Sequence, residues 1–126
     1  MEPEYSAIVV DHFEYPRNGG RFEAGEGIIK GTAGSVAQGT MFSLSARIAA
    51  NRIEAVRFEA YGCPHCIAAG SWLSERLVGL DREQLRGWRW RDADQVLQFP
   101  LEKRGRLLIL EDAVRALSEA WARLIP

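Results

Sequence analysis

The amino-acid sequence predicts an α+β domain, an early helix followed by an antiparallel sheet and then by a closing set of helices. Three observations carry that expectation. Patterning of the β type is confined to residues 26–61. Helical spacing of apolar residues takes over from Pro64 and recurs to the end of the chain. The segregated order of helix, strands and helices belongs to layered α+β packing and not to alternating β and α units.

Each element follows from local pattern. Residues 5–13 set Ile8, Val9, Val10 and Phe13 beside polar Ser6, Asp11 and His12, as in a short helix with one buried face. His12 lies inside that helix and reads as a structural or capping histidine. Pro16 disfavours helix at Tyr15, and Asn18-Gly19-Gly20 supplies positive φ, so the helix stops there. Ile28-Ile29, set among Gly25, Gly27, Gly31 and Gly34, reads as a short first strand. Residues 41–49 alternate Phe42, Leu44, Ala46 and Ile48 against Ser43, Ser45 and Arg47. Residues 50–52 form a turn. Residues 53–61 alternate less strictly, but their β-branched and aromatic side chains suit a strand. Together these predict an antiparallel sheet with one face for helices to cover.

Beyond Pro64, Ile67, Ala68, Trp72, Leu73, Leu77 and Val78 form a helical stripe that Gly79 ends. Asp81 caps a short helix through Leu85, and Asp92 caps another through Leu97. The last helix has the clearest signature. Leu107, Leu110, Val114, Leu117, Trp121 and Leu124 share a stripe, with Glu111, Asp112, Arg115, Glu119 and Arg123 facing away. Trp72, Trp88, Trp90 and Trp121 read as packing residues, and Trp88-Arg89-Trp90-Arg91 is a candidate exposed aromatic and basic patch.

Size and charge bound the function. A chain of 126 residues predicts one domain over 1–126. Lys plus Arg total 16 against 17 Asp plus Glu, so no bulk field draws the chain to nucleic acid or anionic membrane. No apolar run approaches the roughly 20 residues of a membrane span. Met1-Glu2-Pro3-Glu4 is acidic, the opposite of a signal-peptide start, which gives a cytoplasmic expectation. The two cysteines exclude a disulfide framework.

Both cysteines sit in Tyr61-Gly62-Cys63-Pro64-His65-Cys66, between a predicted strand and a predicted helix. Pro64 fits a first helical position. Free N–H groups and partial positive charge at a helix start lower a thiol's pKa, so Cys63 is placed to be a thiolate near neutral pH. A thiolate attacks disulfides, accepts sulfur and binds soft metals. Cys63 and Cys66 are spaced to form a disulfide or to share one metal, with His65 as a local third ligand. The competing reading is a pair of small buried side chains with no chemistry.

Tyr5-Ser6, Asp11-His12-Phe13 and Pro16-Arg17-Asn18-Gly19 resemble the N-terminal signature of the IscU/NifU-type iron–sulfur cluster scaffold family. Residues 31–39 resemble that family's glycine-rich segment, Tyr61-Gly62-Cys63 with Ile67-Ala68-Ala69 and Ser71 its second cysteine segment, and Lys103 with Glu111-Asp112-Ala113 the region of its third. The resemblance implies a three-stranded antiparallel sheet with helices packed on it. It implies a scaffold or carrier rather than an enzyme, working with a cysteine desulfurase or other cluster-assembly proteins. By the same alignment the family's ligand positions fall on Gln38, Thr40, Gly105 and Arg106, leaving Cys63 alone of the set. An amide, a hydroxyl and a guanidinium do not replace thiolates on iron. A stable two-iron, two-sulfur cluster on the monomer is therefore not expected. Cys63 would instead accept sulfur, or Cys63 and Cys66 would hold a cluster or a single zinc or iron ion. The family's chaperone-recognition motif is reduced here to Phe99-Pro100-Leu101-Glu102-Lys103.

Cys63-Pro64-His65-Cys66 is also similar to the active-site tetrapeptide of DsbA-type thiol oxidoreductases. That likeness implies a thiol–disulfide protein. A third reading is an adaptor that keeps a protein-binding surface after losing the cluster site.

Overall fold

In the computed structural model, which describes residues 5–124, the chain forms a three-stranded antiparallel sheet with helices packed on one face. The Met1-Glu2-Pro3-Glu4 segment, which carries the cytoplasmic expectation, lies outside the described residues. Among the described residues no helix is long and apolar enough to cross a membrane.

Helix α1 (Ala7–Glu14) starts at Ser6, whose side chain accepts from the Val9 N–H. After it the chain turns through Pro16 and Arg17 and runs along the sheet edge. There the Gly20 N–H donates to the Phe58 carbonyl, and the Phe58 N–H to the Asn18 carbonyl. This segment covers the last strand, which would otherwise present an open edge.

Strands β1 (Ile28–Ser35), β2 (Thr40–Ala49) and β3 (Arg52–Tyr61) follow in sheet order. The first strand runs well beyond the Ile28-Ile29 pair that its hydrophobicity marks. Pairing to β2 carries it through Gly31, Gly34 and Ser35 despite their low strand propensity. Ile29, Ala46 and Val56 lie across one row of the covered face, and Gly31, Leu44 and Phe58 across the next. A register shift between Arg47 and Ile48 breaks the period of two. It lets Ile53 and Val56 both reach the core, which explains the loose alternation of the third strand.

Helix α2 (Pro64–Arg76) lies over β3 and against α1, and α5 (Gly105–Leu124) lies over β1 and β2. Gly31 sets the depth of α5: a Cβ there would stand 2.3 Å from the Leu117 nitrogen and 2.6 Å from the Ala113 carbonyl oxygen. Only glycine admits so close an approach of helix backbone to strand. Leu107, Leu110, Val114, Leu117 and Trp121 of α5 are buried, whereas Leu124, the last of the predicted stripe, is exposed.

Two short helices bridge α2 and α5. Helix α3 (Arg82–Arg86) opens with a reciprocal capping box between Asp81 and Gln84. Helix α4 (Trp90–Leu97) departs from the expected start at Asp92. It begins three residues earlier than a cap at Asp92 implies, at Trp90, without a side-chain cap from Arg89. The Trp90 N–H is instead satisfied by Glu111 Oε1 of α5 at 2.9 Å, a tertiary cap that local sequence does not reveal. The candidate aromatic patch is also corrected, since Trp88 is buried in the core and Trp90 packs against it.

Candidate functional site

Strand β3 ends at Tyr61, and Gly62 turns the chain into α2 with Cys63 as N-cap and Pro64 in the first turn. Cys63 is part-exposed and Cys66, one turn in, is fully buried. Their sulfur atoms lie 4.0 Å apart, and both thiols are free.

The two sulfurs have different electrostatics. For Cys63, burial acts to raise the pKa. The backbone N–H groups of Cys66 and His65, the Cys66 thiol and the Arg106 charge together outweigh it, so Cys63 titrates below an ordinary thiol. Its side chain makes no capping hydrogen bond. The N–H groups therefore act through the field of the helix start and not as a formed cap. For Cys66, burial and then the neighbouring Cys63 charge push the pKa up to about 11.

Residues far apart in sequence close the site. Thr40, at the start of β2, is buried, and its hydroxyl acts to lower the Cys66 pKa against the larger effects that raise it. Gln38 sits exposed in the β1–β2 turn, with its N–H bonded to Ser35. Gly105 and Arg106 begin α5. Arg106 is half-buried, and its Nε has no hydrogen-bond partner among the described residues. The β1–β2 turn, the head of α2 and the head of α5 thus converge on Cys63 and Cys66.

His65 is buried. Its ring is held between Tyr5, with centroids 4.6 Å apart, and Phe99, edge-on at 4.7 Å. Its Nδ1 is 3.8 Å from Cys63 Sγ. Among the described residues no group of three or more His, Cys, Asp or Glu is arranged to hold a metal ion. Aromatic packing fixes the imidazole with its Nδ1 toward Cys63 Sγ, beside the pair of thiols. The donor set also fails a four-ligand cluster, since Gly105 brings no side chain and Arg106 brings positive charge where a thiolate is required.

Phe99, first residue of the reduced chaperone motif, is buried against His65, while Leu101 is 77% exposed. His12 is distant from the sulfurs and structural. Its Nδ1 meets Ser71 Oγ at 2.8 Å, and the same oxygen accepts the Arg17 N–H. Asn18 donates to Ser74 Oγ. The Pro16-Arg17-Asn18-Gly19 signature therefore ties the N-terminal segment to α2 and supplies no ligand. An apolar recess of about 220 Å³, lined by Tyr5, Val9, Val10, Phe13, Glu14 and Pro64, opens beside the head of α2.

Sequence reasoning did not find the effect of Thr40 on Cys66 or the clamp on His65. The partners are separated by 26 residues in the first case, and by 60 and 34 in the second, with no local signal linking them.

Comparison with known proteins bears on this arrangement. The profile of the family described as NifU-like N terminal domain matches residues 4–122. The bifunctional protein NifU/MnmA of Rubrobacter xylanophilus is 33% identical over 127 residues, covering 98% of this chain and 26% of that protein. The chain thus spans about a quarter of that relative. The iron–sulfur cluster assembly scaffold protein IscU of Escherichia coli is 32% identical over 114 residues, 89% of each chain. Among solved structures, a candidate iron–sulfur cluster assembly scaffold protein for the SUF system from Fervidobacterium islandicum AW-1 superposes with a TM-score of 0.62. It is 16% identical and covers 92% of this chain and 95% of its own, a likeness of fold alone.

Proposed function

This chain belongs to the NifU-like N-terminal domain family, and from that premise we propose that it serves iron–sulfur cluster assembly as a divergent scaffold-like protein. Its contribution is sulfur handling at Cys63. The observation that carries this reading is the setting of that thiol. It is part-exposed at the head of α2, with helix N–H groups and Arg106 favouring the thiolate.

The chemistry uses the chain's own residues. Cys63 thiolate attacks the outer sulfur of a donor persulfide. A new sulfur–sulfur bond forms at Cys63, the donor's bond breaks, and its electron pair leaves on the donor thiolate. Arg106 favours the anionic forms before and after transfer. The donor of matching chemistry is a protein persulfide of the cysteine-desulfurase class. Cluster iron and sulfide are cargo here, and no step is assigned to a resident cluster, because the donor set stops at two thiols.

The test is anaerobic incubation of the reduced protein with a cysteine desulfurase and cysteine, followed by alkylation and peptide mass analysis. Sulfur should be taken up at Cys63, either kept there as one added atom or released as sulfide with a Cys63–Cys66 disulfide left behind, and neither should occur in Cys63→Ser. Sulfur found only on Cys66, or both thiols left unmodified with no sulfide released, overturns the reading.

A further inference from the structure

We propose that Cys66 resolves a persulfide on Cys63, expelling the outer sulfur as hydrosulfide and leaving a Cys63–Cys66 disulfide. This rests on the reading of Cys63 as sulfur acceptor, and it gives the chain a further activity, the reduction of sulfane sulfur to sulfide.

The geometry supplies the argument. Cys66 Sγ is 4.0 Å from Cys63 Sγ, and the side chain is fully buried. It is thus closed to external donors and adjacent to one sulfur. On one side the Gly62 backbone leaves it just enough room, since a Cβ there would stand 2.7 Å from the sulfur. Cys63 is part-exposed whereas Cys66 is buried, so an external donor reaches Cys63 and the attack of Cys66 comes from within. Holding the two groups in one turn makes the attack intramolecular, with effective concentrations far above those of any free thiol.

The step balances. The Cys63 persulfide anion and the Cys66 thiol give the Cys63–Cys66 disulfide and hydrosulfide. The bond between Cys63 Sγ and the outer sulfur breaks, and its electron pair leaves with the outer sulfur. The Cys66 proton goes to that departing sulfur. The outer sulfur is reduced and the Cys66 sulfur oxidised, with no outside electron source. An external dithiol of the thioredoxin chemical class then restores both thiols. The departing anion has a countercharge in Arg106, whose Nε lacks a hydrogen-bond partner among the described residues.

The experiment adds one equivalent of low-molecular-weight cysteine persulfide to the reduced full chain under anaerobic conditions. It reads released sulfide by colour assay and the state of each cysteine by mass. The wild type should release close to one sulfide per chain and yield the Cys63–Cys66 disulfide peptide. In Cys66→Ser the added sulfur should remain on Cys63, with at least a tenfold loss of sulfide release, on the order expected for removing an intramolecular nucleophile. A wild type that keeps the sulfur on Cys63 with Cys66 still alkylatable overturns the inference and leaves the acceptor reading intact. Equal sulfide release from Cys66→Ser also overturns it. If Cys63 takes no sulfur in either protein, the acceptor reading fails and the inference with it. Should Cys66→Ser not fold, as read by circular dichroism, the wild-type disulfide peptide and sulfide yield decide the matter.

Discussion

Gly62 and Cys66 are fitted to each other, since a Cβ on Gly62 would stand 2.7 Å from Cys66 Sγ and 3.1 Å from its Cβ. Gly62 also has φ +148, a conformation that side-chain-bearing residues rarely adopt. Both facts predict that Gly62→Ala destabilises the fold by about 2 kcal/mol. It should also displace the Cys66 sulfur and speed its alkylation. Urea unfolding and alkylation kinetics on the same variant check the two effects, and an unchanged midpoint would show that the fit is slack.

The unequal settings of the thiols predict unequal titration. Alkylation of Cys63 by iodoacetamide should reach half its maximum rate below the ordinary thiol value of 9.0. Cys66 should stay unlabelled until the pH nears 11 or the chain unfolds. Arg106→Gln should slow Cys63 at neutral pH and leave its plateau rate at high pH unchanged, because only the thiolate fraction depends on that charge. Each peptide followed by mass spectrometry across a pH series gives the answer, and faster labelling of Cys66 would contradict it.

Glu111 caps the head of α4 from another helix, through its Oε1 and the Trp90 N–H. Glu111→Ala should cost about 1 to 2 kcal/mol, the usual penalty for losing a helix cap. Glu111→Gln keeps an accepting oxygen and should recover most of it. Equal losses for both variants would assign the effect to the Arg115 ion pair instead.

His12 predicts a dependence of stability on pH. Burial first, then the Arg17 charge, lowers its pKa below 6.5, with Glu75 and Asp11 pulling weakly the other way. The unfolded chain therefore binds this proton more readily than the folded one. The stability due to neutral His12 is present in full above pH 6.5 and is lost as pH falls from there through the folded value. His12→Gln should flatten that part of the curve. Urea midpoints measured above and below pH 6.5 for both proteins test the sign.

The substituted ligand positions predict a loss that can be reversed. Anaerobic reconstitution with iron and sulfide should leave no cluster on the wild-type monomer after gel filtration. Thr40 acts on the Cys66 titration and Arg106 on that of Cys63, and Gln38 lies two residues before Thr40. The triple variant Gln38→Cys, Thr40→Asp, Arg106→Cys should therefore retain iron and sulfide with visible absorbance. A wild type that holds a cluster, with Cys66→Ala equally loaded, would show that ligands lie elsewhere.

By itself the sequence determined the layer order, the sheet-facing residues of the second strand, the stripe of the last helix and the placement of Cys63 at a helix start. These are local matters. Period, capping residues and glycine at a turn act within a few neighbours, so Phe42, Leu44, Leu107 and Asp81 carry their roles in their own spacing. The tertiary structure decided the rest. It set the start of α4, because the cap comes from Glu111 across the fold. It moved Ile53 into the core through a shift in pairing with β2. It clamped His65 between Tyr5 and Phe99, contacts that spacing alone does not reveal. It also brought the Arg106 charge to bear on Cys63 and the Thr40 hydroxyl on Cys66, effects that only packing of α5 and α2 onto the sheet brings within range.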